Sequence, residues 1–226
     1  MEINPLSLGE QIEIALREEI LEGKLRPGQR LSLQELAQRW EVSSMPVRDA
    51  VRRLESSGFL VVAPRSGIYV AKFDKDRFKN ILDIRIALEC LAVELSIHLI
   101  PDAEIEAAIA IYQDAGGRLE KTGDATALID QDNLVHNLIF KHCANPELIE
   151  TMRGIQHLIH WGHRIAAASH PDAFVRALPE HLAILDALRH RNVEEARSAM
   201  QTHLTNTLQR TFEGWDDKQK TEENLV

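Results

Sequence analysis

Cysteine, long apolar runs and the short signatures of metal hydrolases are what this chain lacks. Its 226 residues contain two cysteines, Cys90 and Cys143. That excludes a disulfide framework and a Cys-x-x-Cys motif. No apolar run approaches the roughly 20 residues needed to span a bilayer, so no membrane partner is expected. No His-Asp dipeptide and no His-Glu-x-x-His occurs, which removes the commonest sequence marks of metal-dependent hydrolysis. Internal repeats and low-complexity tracts are absent as well. The stretch "MEINPLSLGEQ" has neither the basic nor the apolar region of a signal peptide, which makes the cytoplasm the expected compartment.

What is present is ordinary in bulk and uneven in placement. Hydrophobic residues make up 44% and charged residues 27% of the chain, as in soluble globular proteins. The net charge is −9. Residues 1–73 hold ten Lys/Arg and ten Asp/Glu, so the remainder, with 16 basic and 25 acidic residues, carries all of it (16 − 25 = −9). The acidic part is a poor match for a polyanion, and the neutral part must be judged separately.

The neutral part is read as 1–73. Leu8, Ile12, Leu16 and Ile20 fall at helical spacing, with Gly23 as a stop. After the Pro-Gly turn in "KLRPGQRL", Ser32 stands three residues before Glu35, a capping box that opens "LQELAQRW". A short turn, "EVSS", leads to a helix over about 44–57, with Pro46 in its first turn and Gly58 at its end. "FLVVAPRSGIYVAKF" reads as a β-hairpin around Pro-Arg-Ser-Gly. Helix, helix, turn, helix, hairpin is a winged helix-turn-helix.

In such a module the third helix enters the major groove by its N-terminal turns. That puts Ser43, Ser44 and Met45 at the DNA, with Arg48 one turn further along and Arg52 and Arg53 near the phosphates. Arg48 suits a guanine edge or a phosphate equally well. Val47, Ala50, Val51 and Leu54 form the opposite, inward face. Arg65 and Gly67 mark the wing tip, where glycine permits close approach to the sugar-phosphate. A winged helix with solvated arginines, used for protein contacts, is the competing reading.

Residues 74–226 show only helical patterning, over 75–99, 102–120, 124–143, 146–168, 172–190 and 192–213. The prediction is an antiparallel bundle of about six helices, giving a mainly α chain, with a frayed polar tail, "DDKQKTEENLV". Nine of the ten histidines lie in the later part of this region. Within "IDQDNLVHNLIF", Asp132 and His136 are four apart, so one helix face presents both. His181 is in register with Ile184, Leu185 and Leu188, and His203 with Met200, Leu204 and Thr207. Three histidines and one aspartate facing one cavity suit Zn²⁺ or Ni²⁺ with open positions for a ligand. Read singly, each fits a satisfied core residue as well. His157, His160, Trp161 and Arg164 share one face and either line the pocket or form a polar edge. His142, His163, His170 and His190 are assigned to the surface. Arg85 lies on the stripe of Ile81, Leu88 and Ala92, so a permanent cation faces inward and requires a partner. Glu89 is one candidate; a bound carboxylate, held by two parallel bonds, is the other.

Two sets of residues carry a family resemblance. "LRPGQRL", "LAQRWEVS", "PVRDAVRRLESSGFL" and "RSGIYV" closely resemble the DNA-binding domain of GntR-type bacterial regulators. The helical half resembles the FCD ligand-binding domain of their FadR branch. A large group of FCD domains has Asp-x₃-His, then a His on a later helix and another on the last, and Asp132, His136, His181 and His203 match in that order. The resemblance implies a metal-binding regulator that senses small organic acids, with Arg85 as an effector contact; His157, Trp161 and Arg164 are further candidates from the face they share. Relatives carry Arg and Thr where this chain has Ser44 and Met45, and Gly where it has Glu41, so the resemblance implies no particular operator.

The function expected is therefore a homodimeric transcriptional regulator, a repressor by preference, that binds a near-palindromic operator and responds to a carboxylate beside a metal ion. A metal sensor in which the ion is the signal is the first alternative. A metal-dependent hydrolase with Asp132 as base is the second.

Overall fold

Ser7 starts the first helix by trading hydrogen bonds with Glu10: its hydroxyl accepts from the Glu10 amide, and the Glu10 carboxylate accepts from the Ser7 amide. The helix α1 (Leu8–Leu21) buries Ile12, Leu16 and Ile20. Leu8 is exposed, contrary to its place in the predicted stripe. Gly9 is buried instead, because α1 passes so close to Asp49 that a Cβ there would lie 2.8 Å from Oδ2. The computed structural model describes residues 6–167 and 173–223, apart from the side chains of 129, 165–167, 173–174 and 216–223. The chain divides into two units, Met1–Arg77 and Phe78–Val226.

The first unit continues through β1 (Arg30–Leu31), α2 (Leu33–Arg39), α3 (Ser44–Ser56), β2 (Leu60–Ala63) and β3 (Gly67–Val70). Val47, Ala50, Val51 and Leu54 of α3 are all buried, as their spacing predicts. The α2–α3 turn passes through Glu41 with φ 53°, a left-handed conformation that disfavours any residue with a Cβ. The hairpin is present, and β1 joins it in an antiparallel sheet of order β1-β3-β2, with Arg30 opposite Tyr69 and Leu31 opposite Ile68. Two residues are too few to show alternation, so the sequence offers only a turn at β1.

The second unit is helical: α4 (Lys75–Ser96, starting just before it), α5 (Asp102–Thr122), α6 (Thr126–Gln131), α7 (Leu134–His142), α8 (Pro146–Ala167), α9 (Ala173–Arg189) and α10 (Val193–Glu223). Helix α10 packs along α9 and α8, and α9 packs on α5. Val93, Ile105, Tyr112, Val135, Ile139, Leu185 and Leu204 are among the side chains that seal the core. Two predicted features need correction. The helix expected over 124–143 breaks at Asp132-Asn133, whose short polar side chains compete with helical backbone bonding. The Tyr112 hydroxyl holds the break open, donating to the Gln131 carbonyl at 2.9 Å and accepting from the Val135 amide at 3.4 Å. The last helix continues to Glu223, past the predicted end, through much of the tail read as frayed. Among the described residues no helix is long and apolar enough to cross a membrane.

Candidate functional site

Three imidazoles meet inside the helical unit. His136 on α7, His181 on α9 and His203 on α10 are 5%, 2% and 4% exposed. Their ring centroids are 4.5–5.7 Å apart, and one potential donor atom from each lies within 4.8 Å of the other two. The helical spacing of apolar neighbours aims each ring inward.

Each ring is held differently. Nδ1 of His136 lies 2.5 Å from Oε2 of Glu89, a fully buried carboxylate on α4. Oε1 of Glu89 accepts from Arg85 Nε at 2.6 Å. Nδ1 of His203 lies 2.8 Å from Oε2 of Glu180 on α9. Glu180 also accepts two bonds from Arg210, at 2.7 and 2.8 Å, and one from Asn206 at 2.7 Å. His181 rests against the Tyr112 ring at 5.1 Å, and its Nε2 is buried with no hydrogen-bond partner.

The electrostatics follow from these surroundings. Burial, with the neighbouring His203 and His136 adding to it, drives the His181 pKa well below the ordinary value. Burial likewise lowers His203 to about 4, although its bond to Glu180 opposes the shift. Burial pushes the Glu89 carboxyl up, and His136 and Arg85 together outweigh it, leaving the group below its usual range. His181 and His203 are therefore uncharged near neutral pH, the form that ligates a metal. A buried nitrogen without a partner costs about 1–3 kcal/mol, which a bound cation would relieve. Three buried imidazoles facing one point could hold a metal ion.

Asp132 stands apart from this group. It lies half-buried in the α6–α7 turn instead of on the helix of His136, and it is not among the donors within 4.8 Å. The expected one-helix Asp-x₃-His geometry fails because Tyr112 stabilises the break. Burial raises the Asp132 carboxyl, against the opposing charges of His136, Arg85 and Arg210, so it still acts electrostatically on the site.

The predicted effector contacts divide. Arg85 is buried and paired with Glu89, so its inward position is explained without a bound carboxylate. Trp161 is buried, whereas His157 and Arg164 are exposed. His160 has Arg85 and Asp132 among its charged neighbours. His163, assigned to the surface, packs edge-on to Phe78, and its buried Nε2 has no partner. Burial and the Arg85 charge lower its pKa to about 3. His142 meets Glu104 at 3.1 Å and His190 is exposed, both compatible with a surface role. His170 lies outside the described residues. The sequence reading missed Glu180 and Arg210 altogether. Arg210 is seven residues after His203 on the same helix face, a visible signal; Glu180, next to His181, gave none.

The first unit offers a different surface. Ser43 caps α3 without a side-chain bond, and Met45 is 74% exposed. Arg48, Arg65 and Gly67 line one cleft of about 790 Å³ with Arg30, Ser32 and Gln34. Arg52 is exposed and bonds Asp49 at 2.6 Å, and Arg53 meets the same carboxylate at 3.2 Å. Gly67 has φ 129°, and a Cβ there would lie 3.0 Å from Arg30 Nε, so this glycine makes room for an arginine of the same unit.

Comparison with known proteins agrees with this division. Residues 8–70 match the model of the bacterial regulatory proteins of the gntR family, and residues 80–206 match the FCD domain. The HTH-type transcriptional regulator McbR of Escherichia coli is 29% identical over 199 residues, spanning 86% of this chain and 88% of that protein. The solved structure of E. coli McbR/YncC superposes with a TM-score of 0.69, covering 93% of this chain and 99% of that one at 26% identity. The HTH-type regulator YdhC of Bacillus subtilis is 28% identical over 189 residues, 84% of each protein. The metal-free FCD domain of TM0439 shares the fold, with a TM-score of 0.54 at 19% identity over 64% of this chain and 97% of that one. With a GntR-type winged helix followed by an FCD domain, the chain belongs to the GntR family of bacterial transcriptional regulators.

Proposed function

We propose that this regulator binds a near-palindromic operator as a homodimer, and that a small organic acid bound beside a divalent metal sets its affinity for DNA. His136, His181 and His203 hold the ion, with Zn²⁺ or Ni²⁺ fitting the donors best, and Asp132 supplies negative charge or a fourth ligand from its turn. Bound there, the ion supplies a Lewis-acidic anchor for a carboxylate. The observation that carries this reading is the buried, partnerless Nε2 of His181 beside two other inward imidazoles. Arg85, Trp161, His157 and Arg164 remain the proposed effector contacts, with Arg85 using N–H groups other than the Nε bound to Glu89.

Ser43, Ser44, Met45, Arg48, Arg52, Arg65 and Gly67 form the proposed DNA surface. The arginines supply salt-sensitive phosphate contacts and the α3 start reads bases. Ile84, Leu91, Leu95 and Leu99, exposed along α4 and just beyond its end, support a dimer through the helical unit. The effector acts by binding the DNA-competent and DNA-incompetent forms unequally, with coupling of roughly 1–3 kcal/mol. We place the protein in the cytoplasm, without a catalytic role, as a repressor of the FadR subfamily, and assign residues 1–73 to DNA and 74–226 to effector binding and dimerisation.

A second reading, in which the ion is itself the signal, gains from the Arg85–Glu89 pair, because Arg85 no longer demands an anionic ligand. One experiment separates the two. Operator DNA selected in vitro is titrated with chelator-treated protein, then with Zn²⁺ or Ni²⁺ alone, and then with hydroxy acids, sugar acids and dicarboxylates added. Release that needs both metal and carboxylate supports the proposal. Release by metal alone supports the sensor, and release by carboxylate without metal sinks both.

A further inference from the structure

Two matching chains of charge end on the histidine cluster. One runs Arg85–Glu89–His136, with contacts of 2.6 and 2.5 Å. The other runs Arg210–Glu180–His203, with contacts of 2.7–2.8 Å. In both, an arginine fixes a carboxylate, and the carboxylate faces Nδ1 of a histidine. A carboxylate accepts only, so each Nδ1 must carry the proton and donate it. The proton-free nitrogen of each ring is then Nε2. An isolated imidazole has no such obligation, and its tautomer is set by the hydrogen bond its other nitrogen makes.

We infer that Glu89 and Glu180 are positioning residues that lock His136 and His203 as Nδ1–H tautomers and thereby present their Nε2 atoms to a divalent cation. This rests on the metal reading proposed above but concerns residues outside the ligand set. The two carboxylates come from different helices, α4 and α9, and each holds a histidine on another, α7 and α10. The site is thus braced by four helices rather than by the three that carry the rings. His181, packed on the Tyr112 ring, presents its own partnerless Nε2 beside them. Outer hydrogen-bond partners of this kind are worth roughly 10–100-fold in metal affinity.

The test uses the full chain and reads tautomers directly. Long-range ¹H–¹⁵N NMR of the chelator-treated wild type should show His136 and His203 as Nδ1–H. Glu180→Gln and Glu89→Gln should each release the facing ring to a mixture containing Nε2–H and weaken Zn²⁺ binding about 10–100-fold, as measured by chelator competition. Circular dichroism should show the helical content kept. Glu180→Gln is the safer variant, because Glu180 is partly exposed whereas Glu89 is fully buried. An Nε2–H tautomer at either ring in the wild type would overturn the assignment, whether or not the variants fold. Unchanged Zn²⁺ affinity in a folded Glu180→Gln protein would overturn it too. If the wild type shows Nδ1–H tautomers but binds no Zn²⁺, Ni²⁺ or Co²⁺, the metal reading fails, and with it the role given to the two carboxylates.

Discussion

In the unit Met1–Arg77 the side chains sealed from solvent are aliphatic or aromatic, and the arginines of α3 and the wing lie at the surface. In Phe78–Val226 charged and imidazole groups lie inside beside the hydrocarbon core. Among the described residues, the buried charged and imidazole side chains, Arg85, Glu89, His136, His181, His203 and Arg210, all belong to this second unit. Both units solve the folding problem with hydrocarbon, yet among the described residues only the second keeps ionic groups inside. Buried ion pairs are weak sources of stability, because desolvation offsets their attraction, and hydrophobic replacements are often as stable. A polar interior of this extent therefore points to chemistry directed inward. The first unit, with a dry core and charged rim, presents its chemistry outward, to a polyanion.

Substitutions in one unit should leave the other's activity intact, and the largest expected effect is at the rings. His136→Ala, His181→Ala or His203→Ala should each weaken Zn²⁺ binding beyond the roughly 10–100-fold that outer partners are worth. Operator binding by the metal-free proteins should persist. Unfolding of all three variants, seen by circular dichroism, would instead make the polar interior structural. Next, Leu54→Ala removes a fully buried side chain from the first core and should destabilise that unit by about 2–5 kcal/mol. DNA binding should fall with its melting transition, while Zn²⁺ affinity stays at the wild-type value. A matched loss of Zn²⁺ affinity would break the comparison.

Smaller effects sharpen it. Arg48→Ala or Arg65→Ala should weaken operator binding by roughly 1–3 kcal/mol if the side chain reads a base. A uniform loss across sequences, with the salt slope reduced by about 1, would identify a phosphate contact instead. Glu41→Gly should stabilise the first unit by about 1 kcal/mol, since glycine adopts the left-handed φ of 53° without the Cβ penalty. Chemical denaturation measures it, and a destabilised variant would contradict the account of the turn.

Much of this division is legible in the sequence, because it follows from periodicity and punctuation. Val47, Ala50, Val51 and Leu54 announce the inner face of α3, and Gly58 announces its end. Register with apolar neighbours predicts the inward aim of His181 and His203. What stays hidden depends on contacts between distant residues. Tyr112 and the Asp132 turn are far apart in sequence, so the break that removes Asp132 from the helix of His136 cannot be read from "IDQDNLVHNLIF". The pairing of Glu180 with His203 is equally remote, and a carboxylate on a helix reads as solvated until its partner is known. Arg85 shows the middle case: the sequence offers Glu89 or a ligand as its partner, and the fold supplies Glu89.

The central claim is that His136, His181 and His203 act together as one metal site, and calorimetric titration of Zn²⁺ into chelator-treated full-length protein tests it most directly. The account predicts a single ion bound per chain by the wild type, with that binding abolished in His181→Ala and in His203→Ala. No binding by a folded wild type, or undiminished binding by either folded variant, would contradict it.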